Sequence, residues 1–126
     1  MADDRTYNGW TNYETWNVAL WLGNDQGSSE YWDGEAARCL ERAIDGEGNP
    51  YADNVRERAA MLLADQLESE IGDSKDDMLE ASKLSASMFA DLLGAALSEV
   101  DWREIADHYV NDLQQFGQYV YWVSKA

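Results

Sequence analysis

Apolar side chains recur at helical period through almost the whole of this sequence, and that repeat limits the chain to a helical fold. From about Ala52 to Ile71, Val55, Ala59, Leu62, Leu63, Gln66, Leu67 and Ile71 trace one face of a helix, and Gly72-Asp73-Ser74 is expected to end it. Upstream, Thr11-Asn12-Tyr13-Glu14 has the form of a capping box, in which the Thr hydroxyl and a Glu three residues on satisfy helix-end N–H groups reciprocally. It opens a short helix with Tyr13, Trp16 and Leu20 on one stripe, stopped by Gly23-Asn24. Ser28 or Ser29 can cap a second helix, broken or bent around Gly34, that ends at Gly46-Glu47-Gly48-Asn49-Pro50. Asp76 to Ser82 is expected to open a fourth helical stretch, as one helix or two, continuing through Leu84, Met88 and Leu92 to Ser98. Asp101-Trp102-Arg103-Glu104 repeats the capping pattern ahead of a last helix ending near Gly117. Only Gln118-Tyr119-Val120-Tyr121-Trp122-Val123 is β-prone, which would add a short C-terminal strand. The expectation is therefore a mainly α fold: a compact bundle of about five helices forming one domain over residues 1–126, with Trp16, Leu20 and Trp102 largely buried.

Charge then constrains what such a bundle can meet. The chain has 25 Asp and Glu against 9 Lys and Arg, a formal net charge of −16 on 126 residues. Chains this acidic commonly stay disordered for want of apolar surface, but this one is 45% hydrophobic with six Trp and seven Tyr, so the acid sits on a fold. A field of that sign repels nucleic acid and anionic lipid and attracts basic surfaces. The expected partner is a basic, nucleic-acid-binding protein, with no direct nucleic-acid binding and no membrane association. No apolar run approaches the roughly 20 residues of a membrane span. Met1-Ala2-Asp3-Asp4-Arg5 is acidic where a signal peptide would be basic, so a cytoplasmic location is expected. The oligomeric state stays open, a homodimer included.

Residues that carry catalysis are sparse. Cys39 is the one cysteine and His108 the one histidine, far apart in sequence, which leaves no evident nucleophile and base. Glu104 and His108 share a helix face at i, i+4, but a di-iron bundle needs a second His and further inward Glu residues. Asp73-Ser74-Lys75-Asp76-Asp77 lacks the Gly and the terminal Glu of a calcium loop. No enzyme, cofactor or metal is expected.

Binding residues are easier to nominate. Asp65, Glu68, Glu70, Asp73, Asp76, Asp77 and Glu80 stand against Lys75 alone in sixteen residues. If Asp73, Asp76 and Asp77 began a helix, its dipole would favour them and no further role would be needed; the functional reading is imitation of a polyanion. Trp10, Trp16, Trp21 and Trp32 lie within 23 residues, interleaved with tyrosines. Most of these are expected in the core, and Trp10, Tyr31 and Trp32 are candidates for an aromatic protein-binding hot spot.

The stretch Tyr7-Asn8-Gly9-Trp10-Thr11-Asn12-Tyr13-Glu14-Thr15-Trp16-Asn17-Val18-Ala19-Leu20-Trp21-Leu22, with its Thr-Asn-Tyr-Glu-Thr-Trp-Asn motif, resembles the opening of an uncharacterised family of small acidic proteins from bacteria, cyanobacteria and phages. Leu92-Leu93-Gly94-Ala95-Ala96-Leu97-Ser98-Glu99-Val100-Asp101-Trp102-Arg103-Glu104-Ile105-Ala106 is similar to that family's C-terminal half. The resemblance implies an accessory protein of phage or mobile-element context working in a bacterial host, and supplies no catalytic residues. With the charge, it leads to an acidic inhibitor or DNA mimic of a host DNA-binding defence protein, of antirestriction or anti-CRISPR type. The alternative is an interaction or regulatory adaptor that uses the aromatic hot spot.

Overall fold

The computed structural model describes residues 6–113, so the β-prone segment from Gln118 and the expected helix end near Gly117 lie outside the described residues. Five helices follow one another: α1 Tyr13–Asn24, α2 Gln26–Ile44, α3 Val55–Ala81, α4 Met88–Ser98 and α5 Trp102–Asp112. They form a compact helical bundle. Its core lies where α2, α3 and α5 meet, built from Trp32, Ala36, Cys39, Leu40 and Ala43, from Ala59, Ala60, Leu63 and Leu67, and from Ile105, Ala106 and Val110. Alanines on all three helices let the backbones approach closely, so a few Leu and Ile side chains fill the space between them.

Helix starts differ in detail from the sequence expectation. The cap of α1 is Asn12 rather than Thr11: the Asn12 side chain accepts from the Thr15 N–H at 2.9 Å, while the Thr11 N–H donates to Glu104 Oε1 at 2.9 Å. Asp25 both ends α1 and caps α2, accepting from the Ser28 N–H at 2.9 Å. That carboxylate cap displaces Ser28 and Ser29 from the role. α2 is also unbroken at Gly34; the roughly 1 kcal/mol penalty of an interior glycine is outweighed by burial of Trp32, Ala36, Cys39 and Leu40 around it. α3 begins at Val55, capped by Asn54, rather than near Ala52.

The largest departure is at Gly72-Asp73-Ser74, which does not break α3. The helix continues to Ala81, because one glycine is a weak breaker and Leu67 and Leu79 are buried on either side of it. The expected fourth helix accordingly does not open at Asp76 but at Met88, where the Ser87 hydroxyl accepts from the Ala90 N–H at 3.2 Å.

Between α2 and α3 the chain turns at Gly46 and Gly48, at φ 98° and 99°. A Cβ at Gly48 would fall 2.8 Å from Arg58 Cγ. The room is needed because Arg58 crosses beneath, donating to the Ala43 carbonyl at 3.2 Å and the Asn49 carbonyl at 3.1 Å and so closing the end of α2. Ahead of α1, Asn8 and Gly9 at positive φ fold a tight turn in which Tyr7 and Trp10 exchange backbone hydrogen bonds of 2.9 and 2.8 Å.

α1 lies on α2 and α5 at the edge of the core: Trp16 and Leu20, expected to be largely buried, are partly buried there, and Trp102 on α5 is partly buried against the core. Trp16 packs instead with Tyr7 and Tyr13, ring centroids 4.8 and 5.4 Å apart. The wholly buried residue of α1 is Thr15. Its hydroxyl donates to Asn12 Oδ1 at 2.6 Å and accepts from the Asp101 N–H at 2.8 Å, tying the start of α1 to the start of α5. Replacing Thr15 by Val keeps the volume but leaves the Asp101 N–H without its acceptor and Asn12 Oδ1 with the backbone N–H alone, so Thr15→Val should cost about 1–3 kcal/mol. A lower urea midpoint at unchanged slope is the expected readout, with Thr15→Ser retaining most of the stability; a neutral Thr15→Val would remove the hydroxyl from the account.

Candidate functional site

All seven nominated carboxylates fall on one continuous helix, α3. At about 100° per residue, Asp65, Asp73, Asp76 and Glu80 lie within about 80° of one another, with Asp77 beyond one edge and Glu68 beyond the other. Six of the seven are exposed. Glu70 is the exception, half-buried on the α2 side, where it accepts from the Tyr31 hydroxyl and from Gln66 Nε2, each at 2.7 Å. Gln66 Nε2 also donates to Glu35 Oε1 at 2.6 Å, so one amide bridges two carboxylates across the α2–α3 seam. Glu70 is thus bound up in packing, while the other six face water.

Their position along α3 decides how they are read. Asp73, Asp76, Asp77 and Glu80 stand in the last third of the helix, not at the start of a new one. Negative charge there opposes the dipole instead of complementing it, and no basic residue occupies the last turn. Lys75 pairs with Asp76 at 3.2 Å, a surface contact worth little. Helix chemistry therefore does not account for this run of acid.

Beside this ridge lies a feature the sequence reading did not single out. α4 has no wholly buried residue, and Met88, Phe89 and Leu92 on its outer side are 64%, 56% and 61% exposed. They fall within about 100° of one another around the helix. Two clefts of about 220 and 350 Å³ separate α4 from α3; the first is walled by Glu68, Gly72, Leu97 and Trp102, the second by Asp76, Leu79, Glu80 and Ala90. The signal was present in Met88-Phe89-Ala90-Asp91-Leu92-Leu93-Gly94-Ala95-Ala96-Leu97, which is apolar on more faces than one packing partner can cover.

Of the nominated aromatics, Tyr31 and Trp32 meet edge to face with ring centroids 5.0 Å apart, and Trp10 packs elsewhere. Trp32 is in the core at 5% exposure. Tyr31 is exposed on the α2–α3 seam, and its hydroxyl pKa is raised, first by the Glu70 hydrogen bond and then by desolvation. Trp10 stacks on His108 across 4.1 Å at the other side of the molecule, against α5. There it walls a further cleft of about 220 Å³ with Tyr109, Asp33 and Asp112. Burial raises the pKa of both Asp33 and Tyr109, and Asp112 adds to each shift.

The residues weighed for catalysis are engaged elsewhere. Glu104 holds the Thr11 N–H, and His108 lies under Trp10. Cys39 is wholly buried with its thiol against Gln66, and burial pushes its pKa up. Among the described residues no group of three or more His, Cys, Asp or Glu is placed to hold a metal, and no helix is long and apolar enough to cross a membrane.

Residues 3–118 match the profile of a family of unknown function (DUF7249), and the chain belongs to that family. No curated protein and no solved structure matches it.

The cleft beside Trp10 gives a pH prediction. Because the raised pKa means that the folded state holds the Asp33 proton more tightly than the unfolded chain does, stability is lost as pH rises through the carboxylate range. Asp33→Asn should raise Tm slightly at neutral pH, and the gain should shrink as pH falls through the raised folded pKa and be gone below the ordinary Asp range. A gain equal at every pH would mean that charge at Asp33 is not its cause.

Proposed function

We propose that the chain is an acidic protein-binding inhibitor whose α3 carboxylates stand in for nucleic-acid phosphates and occupy the basic surface of a nucleic-acid-binding protein. The observation that carries the reading is the unbroken α3: six exposed carboxylates on one helix, four of them in the last third, where its dipole disfavours them. Neighbours three or four residues apart on a helix are about 5–6 Å apart. The stretch Asp65 to Glu80 is net −6 over sixteen residues. At about 1.5 Å per residue, and leaving out Glu70, which is taken up in packing, it presents about one charge per 5 Å, sparser than a duplex but within a factor of two of the one per 3.4 Å of a single DNA strand. The ridge therefore suits the groove that takes one strand backbone.

A bacterial host's defence machinery is the class of target that this reading and the family resemblance together suggest, in the manner of antirestriction or anti-CRISPR proteins, and the chain would act in the cytoplasm as an accessory protein of phage or mobile-element origin. The adaptor reading keeps the exposed Tyr31 and the half-buried Trp10 but loses Trp32, which is too buried to be an anchor.

Replacing Asp65, Glu68, Asp73, Asp76 and Asp77 by Asn or Gln should leave helicity intact. Each loss should weaken binding of the captured basic protein by about 0.2–1 kcal/mol, as for exposed ion pairs, and flatten its dependence on salt. DNA should compete with the parent chain for the same partner. Binding that survives all five changes and ignores salt would refute the mimicry.

A further inference from the structure

We infer that the outer face of α4 is the docking site for an amphipathic basic helix of the partner protein. Its apolar side would seat on Met88, Phe89 and Leu92, and its Lys and Arg side chains would reach Asp91 on α4 and Asp76 and Glu80 on α3. The inference rests on the reading of the chain as an acidic binder and adds the element that anchors what it binds.

Two independent features converge on this face. The first is apolar: α4 exposes three large side chains that a stable monomer would ordinarily bury, and the clefts beneath show that it is not pressed tightly onto α3. Methionine and phenylalanine at its N-terminal end give an adaptable, polarisable surface of the kind that receives helices of varied sequence. The second is electrostatic. Asp76, paired with Lys75 at 3.2 Å, and Glu80 edge the cleft between α3 and α4, and Asp91 stands exposed on α4 itself. Glu80 and Asp91 have no ion-pair partner among the described residues. Acid beside an apolar stripe complements a helix with basic residues flanking its own stripe. A second copy of this chain is the other occupant that an apolar face invites, but pairing would bring two charges of −16 together. Charge complementarity selects the basic helix.

The test uses the full chain and a synthetic basic amphipathic peptide of about 18 residues, five helical turns, with a scrambled peptide of equal charge as control. The amphipathic peptide should bind one to one, at least about tenfold tighter than the scrambled one. Phe89→Ser with Leu92→Ser should erase that difference while circular dichroism stays helical; Phe89→Leu with Leu92→Met should retain it. Equal binding of the two peptides, or a preference that survives Phe89→Ser with Leu92→Ser, overturns the inference. So does a parent chain that sediments as a dimer and becomes monomeric on those same serine changes. The five-carboxylate variant separates the two proposals. If that variant loses its partner while the serine changes leave the peptide preference untouched, the acidic reading stands and the α4 site falls. If the peptide preference depends on Phe89 and Leu92 but partner binding ignores the five carboxylates, the anchor stands and the mimicry falls.

Discussion

The arrangement of the molecule depends on a small buried clasp at the start of α1. Thr15 is completely buried, with its hydroxyl shared between Asn12 and the Asp101 N–H. Asn12 uses its amide in the other direction, donating to the Glu99 carbonyl at 2.6 Å. Thr11 completes the seam through Glu104. Three successive structural jobs are done by one tetrapeptide turn and its threonine: α1 is capped, the end of α4 is closed, and α5 is oriented. A polar group buried this deeply is costly unless every bond is made. The cost works as specificity, because another register would leave Thr15 unpaired.

That clasp also explains how a helix with no buried residue of its own can be held in place. α4 is fixed at both ends, with Leu97 on its inner side packed against the core. At its C-terminal end Asn12 holds Glu99, and Val100, at 7% exposure, is the next residue in the core. At the other end Ser87 caps the helix and also bonds back to the Leu84 carbonyl, while Lys83, at φ 61°, turns the chain away from α3. With Leu97 packed against the core and Ala90, Leu93 and Ala96 partly buried on the inner side, Met88, Phe89 and Leu92 can face outward without cost to the core.

The two sequence blocks that carry the family resemblance are the two sides of this clasp. Thr11, Asn12 and Thr15 come from one; Glu99, Asp101 and Glu104 come from the other. The motif was therefore legible as a helix start but not as a tertiary contact, since nothing local reveals that Thr15 will meet Asp101, 86 residues on. Helical class, the order of the elements and the Asp101 cap were all readable, because apolar period and cap chemistry are local. Misreadings arose where tertiary burial overrides a local signal. Gly34 and Gly72 read as breakers yet lie inside helices whose flanking leucines, alanines or tryptophan are buried. Trp16 read as core because aromatics usually are, whereas the alanine-lined contact of α2, α3 and α5 leaves no space for it. The acidic run itself was legible, but its meaning changed with the end of the helix on which it fell.

That change bears on how an acidic ridge and an apolar helix work together. Exposed carboxylates act at a distance of about a Debye length, roughly 8 Å at physiological salt, so they hasten encounter and orient the incoming surface. They hold it poorly, since each exposed pair contributes little once formed. An apolar face acts only on contact, but the surface it buries slows dissociation, which is where most differences in affinity arise. A chain carrying only the ridge would bind fast and let go readily as salt rises, as phosphate mimicry alone predicts. One carrying only α4 would bind any hydrophobic helix. If both act as proposed, attraction would select basic surfaces and burial would then retain those that also present an apolar stripe, which is a narrower class than either feature could choose by itself.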